Sequence, residues 1–227
     1  MPPVVNSGGM GMAPKPKEGN PRTRDAEQAK IKTAPALEPS PKRGCPSLGG
    51  ANDPSAARIG VIADTHGYLH PAIAELFAGV IYIIHAGDIV DAATLVALGA
   101  VAPLTAVAGN MDSGELAESL PREVLGEVAG IRFAVGHKRK RLLKRLSSGK
   151  LVSGADDRPP RLVVFGHEHA PSASWVEGVL YLNPGTATAP DEEDAAATVA
   201  IVTAVAAGLS VTFVPLPRAA LSPAADL

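Results

Sequence analysis

The sequence contains very little cysteine, few aromatic residues and almost no net charge. Its 227 residues include one cysteine, Cys45, and 4% aromatic side chains, and the formal charge is −2 at pH 7. A single cysteine excludes an intramolecular disulfide and fits a reducing compartment, so we expect a cytoplasmic protein. Extended nucleic-acid surfaces stack bases on aromatic rings and pair phosphates with an excess of cations. The composition therefore argues against a nucleic-acid-binding protein.

The first quarter of the chain lacks the composition of a folded domain. Residues 1–57 contain 10 of the 21 prolines and no Phe, Trp or Tyr. Such a segment cannot bury enough apolar surface to offset the entropy lost on ordering. It also lacks the continuous apolar core of a secretory signal. We predict a disordered N-terminal tail over 1–57, one domain over 58–217 and a C-terminal tail over 218–227.

One stretch without charge is long enough to cross a membrane. Residues 195–214 contain no Asp, Glu, Lys or Arg over twenty positions. The stretch is rich in Val and Thr, however, and Ala206-Ala207-Gly208 interrupts its middle. We therefore predict two strands, Thr198–Val205 and Leu209–Val214, joined by a turn, and no membrane association.

A single pattern recurs along the rest of the chain: an apolar run of strand type, a small residue, then a polar residue. Segments with helical spacing, such as Pro71–Phe77, Asp91–Leu98 and Lys138–Leu146, lie between several of these runs, which indicates an α/β fold. Ligands of open α/β sheets gather beyond the carboxyl ends of the strands. The polar residues at those ends are Asp64, His66, Asp88, Asn110, His137, His167 and His169.

The last two histidines follow the buried run Arg161–Phe165. Alternate residues on extended backbone point the same way, so His167 and His169 can present two imidazoles to one ion. The seven residues offer only nitrogen and oxygen donors, too many for one ion and suited to two. We expect two divalent metal ions, manganese first, with iron, nickel, cobalt or zinc as alternatives. Asp88 is our candidate for the carboxylate that bridges them.

Two such ions support hydrolysis of a phosphoester. Ions about 3.5–4 Å apart generate hydroxide at neutral pH and stabilise both oxygens of an in-line displacement. With two carboxylates and a bridging hydroxide, the site keeps a net charge of about +1, which attracts an anionic ester. We predict a dinuclear-metal-dependent phosphoesterase that uses a metal-bridging hydroxide on a small phosphoester substrate.

The ordered motifs resemble those of the calcineurin-like metallophosphoesterase superfamily, and its small YfcE-like phosphodiesterase family in particular. They are Asp64-Thr65-His66-Gly67, Gly87-Asp88, Gly109-Asn110, the lone His137, Gly166-His167-Glu168-His169 and Asn183-Pro184-Gly185. The resemblance implies a four-layer α/β/β/α sandwich with mixed sheets. It also implies one metal held by Asp64, His66, Asp88 and His169, and another held by Asp88, Asn110, His137 and His167. Asp64, His66, Asp88, Asn110 and His137 would form the catalytic set.

The chain departs from the family pattern in three places. Met111 stands where many members have a histidine that protonates the leaving group, and a thioether cannot donate a proton. Lys138 follows His137 where the family has glycine, and the stretch 189–194 is acidic where an arginine is usual. Without an acid, we expect a preference for esters with weakly basic leaving groups.

Other functions compete with this interpretation. The same fold also serves as a non-catalytic scaffold in the retromer complex, so a binding module is the alternative. Six cations between Lys138 and Arg145 would suit a nuclease, although we expect a solvated helix face. We expect His85 to be a packed, hydrogen-bonded residue and Asn183 to shape a loop beside the site. A homo-oligomer remains open.

Overall fold

The computed structural model describes residues 56–151, 158–188, 196–205 and 208–217. Outside these ranges lie most of the predicted N-terminal tail, the predicted C-terminal tail and the acidic stretch 189–194. Ala206-Ala207, within the predicted turn, and residues 152–157 also lie outside them.

The described residues form ten strands and four helices. The strands are β1 Ala57–Ile62, β2 Tyr82–His85, β3 Leu104–Ala106, β4 Glu123–Val128, β5 Ile131–Gly136, β6 Leu162–Val164, β7 Ser172–Val176, β8 Val179–Asn183, β9 Thr198–Val205 and β10 Gly208–Pro215. The helices are α1 Ile73–Leu76, α2 Ala92–Gly99, α3 Gly114–Ser119 and α4 Arg139–Ser147.

The strands form two five-stranded mixed sheets. The first has the order β10-β9-β1-β2-β3, and the second has the order β4-β5-β6-β8-β7. In the first sheet β1, β2 and β3 are parallel, whereas β9 runs antiparallel to β1. In the second sheet β5, β6 and β8 are parallel and flanked by antiparallel β4 and β7. Each sheet therefore contains three adjacent parallel strands that share one carboxyl end, at one side of the first sheet and in the centre of the second.

Three apolar clusters hold the layers together. The central cluster lies between the sheets and includes Ile59 and Val61 of β1 with Val164 of β6. A second cluster packs Ile73 and Phe77 of the α1 region, together with residues of α2, against the other face of the first sheet. A third packs α4 against the second sheet through buried Leu142, Ala134 and Val163. The expected four-layer α/β/β/α sandwich is thus confirmed.

Local sequence explains where the elements turn. The β4–β5 and β7–β8 hairpins turn at Ala129-Gly130 and Glu177-Gly178, all with positive φ, as two-residue hairpin loops require. Helix α2 begins after Asp91, whose carboxylate accepts the N–H of Ala93 at 2.9 Å.

The uncharged stretch near the C-terminus forms strands, as predicted. β9 and β10 are antiparallel, and their pairing runs from Thr198 opposite Pro215 to Val205 opposite Gly208. Among the described residues, no helix is long and apolar enough to cross a membrane. Helix α3 was not predicted, because Gly114–Ser119 has no buried residue and so no apolar periodicity.

Candidate metal centre

The polar side chains at the strand ends lie close together in two groups. The first donor group comes from the loops after β1 and β6, and the second from the loops after β2, β5 and β6. Within each group, ligand-type atoms of all members lie within 4.8 Å of one another. The first donor group is Asp64, His66 and His169, and the second is Asp88, His137 and His167.

In the first donor group, two imidazoles and a carboxylate converge. Nε2 of His66 lies 3.3 Å from Nε2 of His169, which lies 3.5 Å from Oδ1 of Asp64. Two imidazole nitrogens at this distance repel one another unless a proton or a cation lies between them. Asp64 is fully buried, whereas the His169 side chain is 47% exposed, so the group opens to solvent on one side.

In the second donor group, His137 faces two oxygen atoms. Its Nε2 lies 3.2 Å from Oδ2 of Asp88 and 3.2 Å from Oδ1 of Asn110. Its Nδ1 lies 2.9 Å from the carbonyl oxygen of Ala86, which can only accept, so Nδ1 carries a hydrogen. In the neutral ring Nε2 then directs a lone pair toward two acceptors. A proton on Nε2 or a metal cation would satisfy all three atoms, and a histidine fixed through its other nitrogen is typical of metal ligands.

The two donor groups adjoin each other. Oδ1 of Asp64 lies 4.0 Å from Nδ1 of His137, and the backbone N–H of His167 donates to Oδ2 of Asp64 at 3.0 Å. The His137 and His167 rings meet edge to face, 5.1 Å between centroids. The structure thus brings all seven predicted residues together. Asp88 lies in the second group, and its bridging role remains a prediction.

Burial sets the protonation of the carboxylates. It raises the pKa of Asp64 to about 7, although the charge of His137 and the N–H of His167 act in the opposite direction. Burial also works against the charge of Asp88, but its hydrogen bonds with His137 and with the N–H of Met111 hold the pKa of Asp88 below its ordinary value. A carboxylate that burial keeps hard to ionise gains most from a nearby cation.

Five of the seven residues have strained backbones. The φ angles are 54° at Asp64, 46° at His66, 55° at Asp88, 73° at His167 and 53° at His169. Side chains other than glycine rarely adopt positive φ, and each instance costs about 1–3 kcal/mol. Strain collected at one place indicates that the fold spends stability on positioning these side chains.

Two glycines let the loops approach the carboxylates. A Cβ at Gly109 would lie 2.0 Å from Oδ1 of Asp88, and one at Gly166 would lie 2.7 Å from Oδ2 of Asp64. Both distances are far below van der Waals contact. Glycine is therefore required in Gly109-Asn110 and in Gly166-His167 for steric reasons.

Asp112 organises the second donor group from behind. Its two carboxylate oxygens accept the backbone N–H groups of Asp88, Ile89, Val90 and Gly109, at 2.7–3.1 Å. It thereby joins the loop after β2 to the loop after β3.

Two further polar residues support the loops without joining either donor group. His85 is fully buried; its Nδ1 accepts the N–H of Gly87, and its Nε2 lies 3.2 Å from the Thr65 hydroxyl. Asn183 accepts the N–H of Gly185 and donates to the carbonyl of Gly166. Both expectations from the sequence are confirmed.

Comparison with known proteins agrees with the geometry. A family model of the calcineurin-like phosphoesterase superfamily domain matches residues 58–206, which is well over half of the chain. The chain belongs to this superfamily. The matched range includes all six residues of the two donor groups and Asn110.

Relatives and structural neighbours of this calcineurin-like phosphoesterase domain include proteins named as phosphoesterases and proteins named Vacuolar Protein Sorting 29. The chain is 36% identical over 143 residues to a probable metallophosphoesterase of Methanocaldococcus jannaschii, covering 58% of this chain and 69% of the relative. An archaeal phosphodiesterase is 21% identical with a TM-score of 0.53, over 70% of this chain and 99% of the other. Vacuolar Protein Sorting 29 from Cryptosporidium parvum is 18% identical with a TM-score of 0.53, over 72% and 99%. The two solved structures show the shared fold.

The departures from the superfamily pattern lie beside the second donor group. Met111 is 56% exposed, and its backbone N–H donates to Oδ1 of Asp88 at 2.8 Å. The ammonium of Lys138 acts on His167: burial, then the charges of His137 and Lys138, hold the pKa of His167 below its ordinary value. Lys138 therefore lies near the predicted ligands.

Three other cations of the basic helix contact identified neighbours. Arg139 lies over the ring of Phe165, 5.2 Å from its centroid. Arg141 pairs with Glu123, and Arg145 approaches the same carboxylate at 3.8 Å. Arg139 therefore packs on an aromatic ring, whereas Arg141 and Arg145 share one carboxylate.

Two cavities flank the helix α4. One of about 160 Å³ borders the second donor group and is lined by His137 and Asn110 among others. A larger one of about 670 Å³ lies near the third apolar cluster and is lined by none of the predicted ligands. Size alone would point to the larger cavity, but the chemistry lies at the smaller one.

Proposed function

We propose that this chain is a dinuclear-metal phosphodiesterase of the YfcE-like type that acts on small phosphoesters. The observation that carries the proposal is the pair of adjoining donor groups, 4.0 Å apart between Asp64 and His137. Nitrogen and oxygen donors without a thiolate fit manganese, our first choice, and also iron, nickel, cobalt or zinc. The Nε2 atom of His137, which faces two acceptor oxygens, supports the presence of a cation.

Each of the seven predicted ligands has a proposed role in holding one or both metal ions. Asp64, His66, Asp88 and His169 would hold one ion, and Asp88, Asn110, His137 and His167 would hold the other. When bound, two divalent ions activate water and stabilise charge that develops on phosphoryl oxygens. The hydrogen bond from His137 to Ala86 keeps Nε2 free as a donor to metal, and Asp112 keeps the Asp88 loop in position.

The protein offers no obvious acid at Met111. Its thioether cannot protonate a leaving oxygen, so the proton must come from water. Esters whose leaving groups are weakly basic need little proton assistance and should react fastest. Aryl phosphodiesters are therefore the substrates with which to begin.

The proposal is tested by turnover of bis-p-nitrophenyl phosphate with added Mn²⁺. We expect metal-dependent release of p-nitrophenol and a loss of at least about 100-fold in kcat/KM for His167→Ala, since a ligand is removed. His70→Asn is a matched control, because His70 lies outside both donor groups; its Nδ1 accepts the N–H of Ala72, and its ring meets the Tyr68 ring edge to face. Turnover that is unchanged in His167→Ala, or absent with every metal, would refute the proposal.

A non-catalytic binding module is the second candidate, and one observation favours it. The edge strand β7 is exposed along its whole length, with Trp175 52% and Val176 49% exposed. Exposed aromatic side chains on an edge strand suit a protein partner. A scaffold would bind metal without turnover and would lose partner binding on Trp175→Ala, whereas a phosphodiesterase would retain its kcat/KM in that variant.

A further inference from the structure

The cavity of about 160 Å³ beside the second donor group is strongly cationic. We call it the cationic cavity; Arg122, Lys138 and Arg141 line it together with Glu123, Asn110 and His137. Its three cations outnumber its single carboxylate. Moreover, Glu123 is already engaged by Arg141 and approached by Arg145 at 3.8 Å, so it cannot neutralise Lys138 or Arg122 as well.

Such a cavity is unfavourable beside a dinuclear cation site unless an anion enters it. Like charges in a partly enclosed space repel, and the nearby ions would add to the positive potential. Lys138 stands where the superfamily pattern has glycine, so its charge is an addition to the site. Lys138 is also the N-cap residue of helix α4, and no side-chain hydrogen bond caps the first N–H groups of the helix, which adds a partial positive charge.

The size of the cationic cavity limits what it can hold. Sites for drug-sized ligands measure roughly 300–1,000 Å³, and this cavity is about 160 Å³. It suits a group the size of one phosphate and not a nucleoside. Two cavity-lining residues, Asn110 and His137, are also predicted metal ligands, so an occupant lies directly beside the scissile ester.

We propose that the cationic cavity binds a second phosphate group of the substrate, carried next to the phosphodiester that is cleaved. Lys138 and Arg122 would donate to its oxygens by charge-assisted hydrogen bonds. This inference rests on the proposed function and narrows it to diesters that carry a further phosphate. Lys138 and Arg122 thus become specificity-determining residues.

The test compares two chromogenic substrates that differ only in that phosphate. They are p-nitrophenyl thymidine 5′-phosphate and the same compound with an added 3′-phosphate, so the leaving group is identical. We expect kcat/KM for the second to exceed that for the first by about tenfold, the worth of one charge-assisted hydrogen bond. Lys138→Gln and Arg122→Gln should each reduce the ratio to about twofold or less. Lys144→Gln, on the exposed part of the same helix, should leave it unchanged.

A binding measurement gives an independent readout. On the Mn²⁺-loaded protein, calorimetric titration should show thymidine 3′,5′-bisphosphate binding about tenfold more tightly than thymidine 5′-phosphate, with the difference lost in Lys138→Gln. Equal affinities and equal kcat/KM values for the two compounds would overturn the cavity assignment. Turnover of bis-p-nitrophenyl phosphate would then still support the proposed function. If no diester is turned over with any metal, the proposed function and this inference both fail.

Discussion

Replacing Asp64 by Asn should make the metal-free protein more stable at alkaline pH and the metal-loaded protein less stable. Asp64 is fully buried, and burial raises its pKa to about 7. Asn keeps the shape and the acceptor for the N–H of His167 but removes the charge. Without metal, comparison of this variant with the wild type measures the stability lost on burying the charged carboxylate. With metal, the same comparison measures the stability gained when a cation binds to it.

The magnitude follows from the pKa of Asp64. A folded-state pKa of about 7 against an ordinary value of 3.8 corresponds to about 4 kcal/mol, at 1.36 kcal/mol per unit of pKa. Because the folded-state pKa is raised, this contribution to stability is present below about pH 4 and is lost as the pH rises through 7. In EDTA, the Tm of Asp64→Asn should match the wild type near pH 3 and exceed it by about 10 °C at pH 8.

Thermal unfolding followed by circular dichroism measures both effects. With Mn²⁺ at about 10,000 times its dissociation constant at pH 8, the wild type should gain about 5 kcal/mol. This gain exceeds the loss of about 4 kcal/mol on burying the carboxylate, so the order of the two proteins should reverse. Asp91→Asn controls for loss of one negative charge, since Asn is an equally good helix N-cap. The reasoning is refuted if Asp64→Asn is no more stable than the wild type in EDTA at pH 8, or if Mn²⁺ raises both Tm values equally.

Three further substitutions test the supporting structure. Asp112→Asn should lower the free energy of unfolding by about 2–4 kcal/mol in urea titrations, because four backbone N–H groups depend on the carboxylate; a loss under 0.5 kcal/mol would contradict its role. Gly109→Ala should lower kcat/KM by about 100-fold, since the new Cβ would displace Asp88. Gly99→Ala should leave kcat/KM unchanged, because a Cβ added at Gly99 would meet no atom within 4 Å. Met111→His should raise the rate with poor leaving groups by about 10-fold or more relative to the rate with p-nitrophenyl esters. If the ratio of these two rates is unchanged, the claim that the site lacks an acid at Met111 is contradicted.

Strand ends were the predictable part of this molecule. Buried runs such as Ile59–Ile62 and Leu162–Val164 have few alternatives to a central strand. The polar residues after them could be predicted to meet because carboxyl ends of parallel strands share one edge. The structure accordingly places Nε2 of His169 3.5 Å from Asp64, although about a hundred residues separate them in sequence.

Contacts made by backbone groups could not be predicted from the pattern of side chains along the sequence. Neither the four N–H donors on Asp112 nor the positive φ angles at the five strained residues leave a periodic signal. Arg122 was also missed as a neighbour of the site, because it lies on the far side of a hairpin turn in sequence and reaches the cavity only through the β4–β5 pairing. The one available signal was the sequence Gly109-Asn110-Met111-Asp112, where an aspartate two residues after a predicted ligand can accept from the same loop.

Several expectations stay predictions. They are the disordered tail over 1–57, the cytoplasmic location, the oligomeric state, the choice of manganese and the metal-binding and catalytic roles of the seven residues. The basic helix is different: the expected solvated face is partly correct, since Arg139 lies over Phe165 and Arg141 pairs with Glu123. Only Lys138 and Arg141 of its cations line the cationic cavity.

The most direct measurement is anomalous X-ray scattering from crystals grown with Mn²⁺. We expect two manganese peaks about 3.5–4 Å apart, one contacting the first donor group and the other contacting the second donor group and Asn110. A crystal with no manganese at these side chains, or with a single ion bound elsewhere, would contradict the dinuclear centre on which the proposed hydrolysis depends.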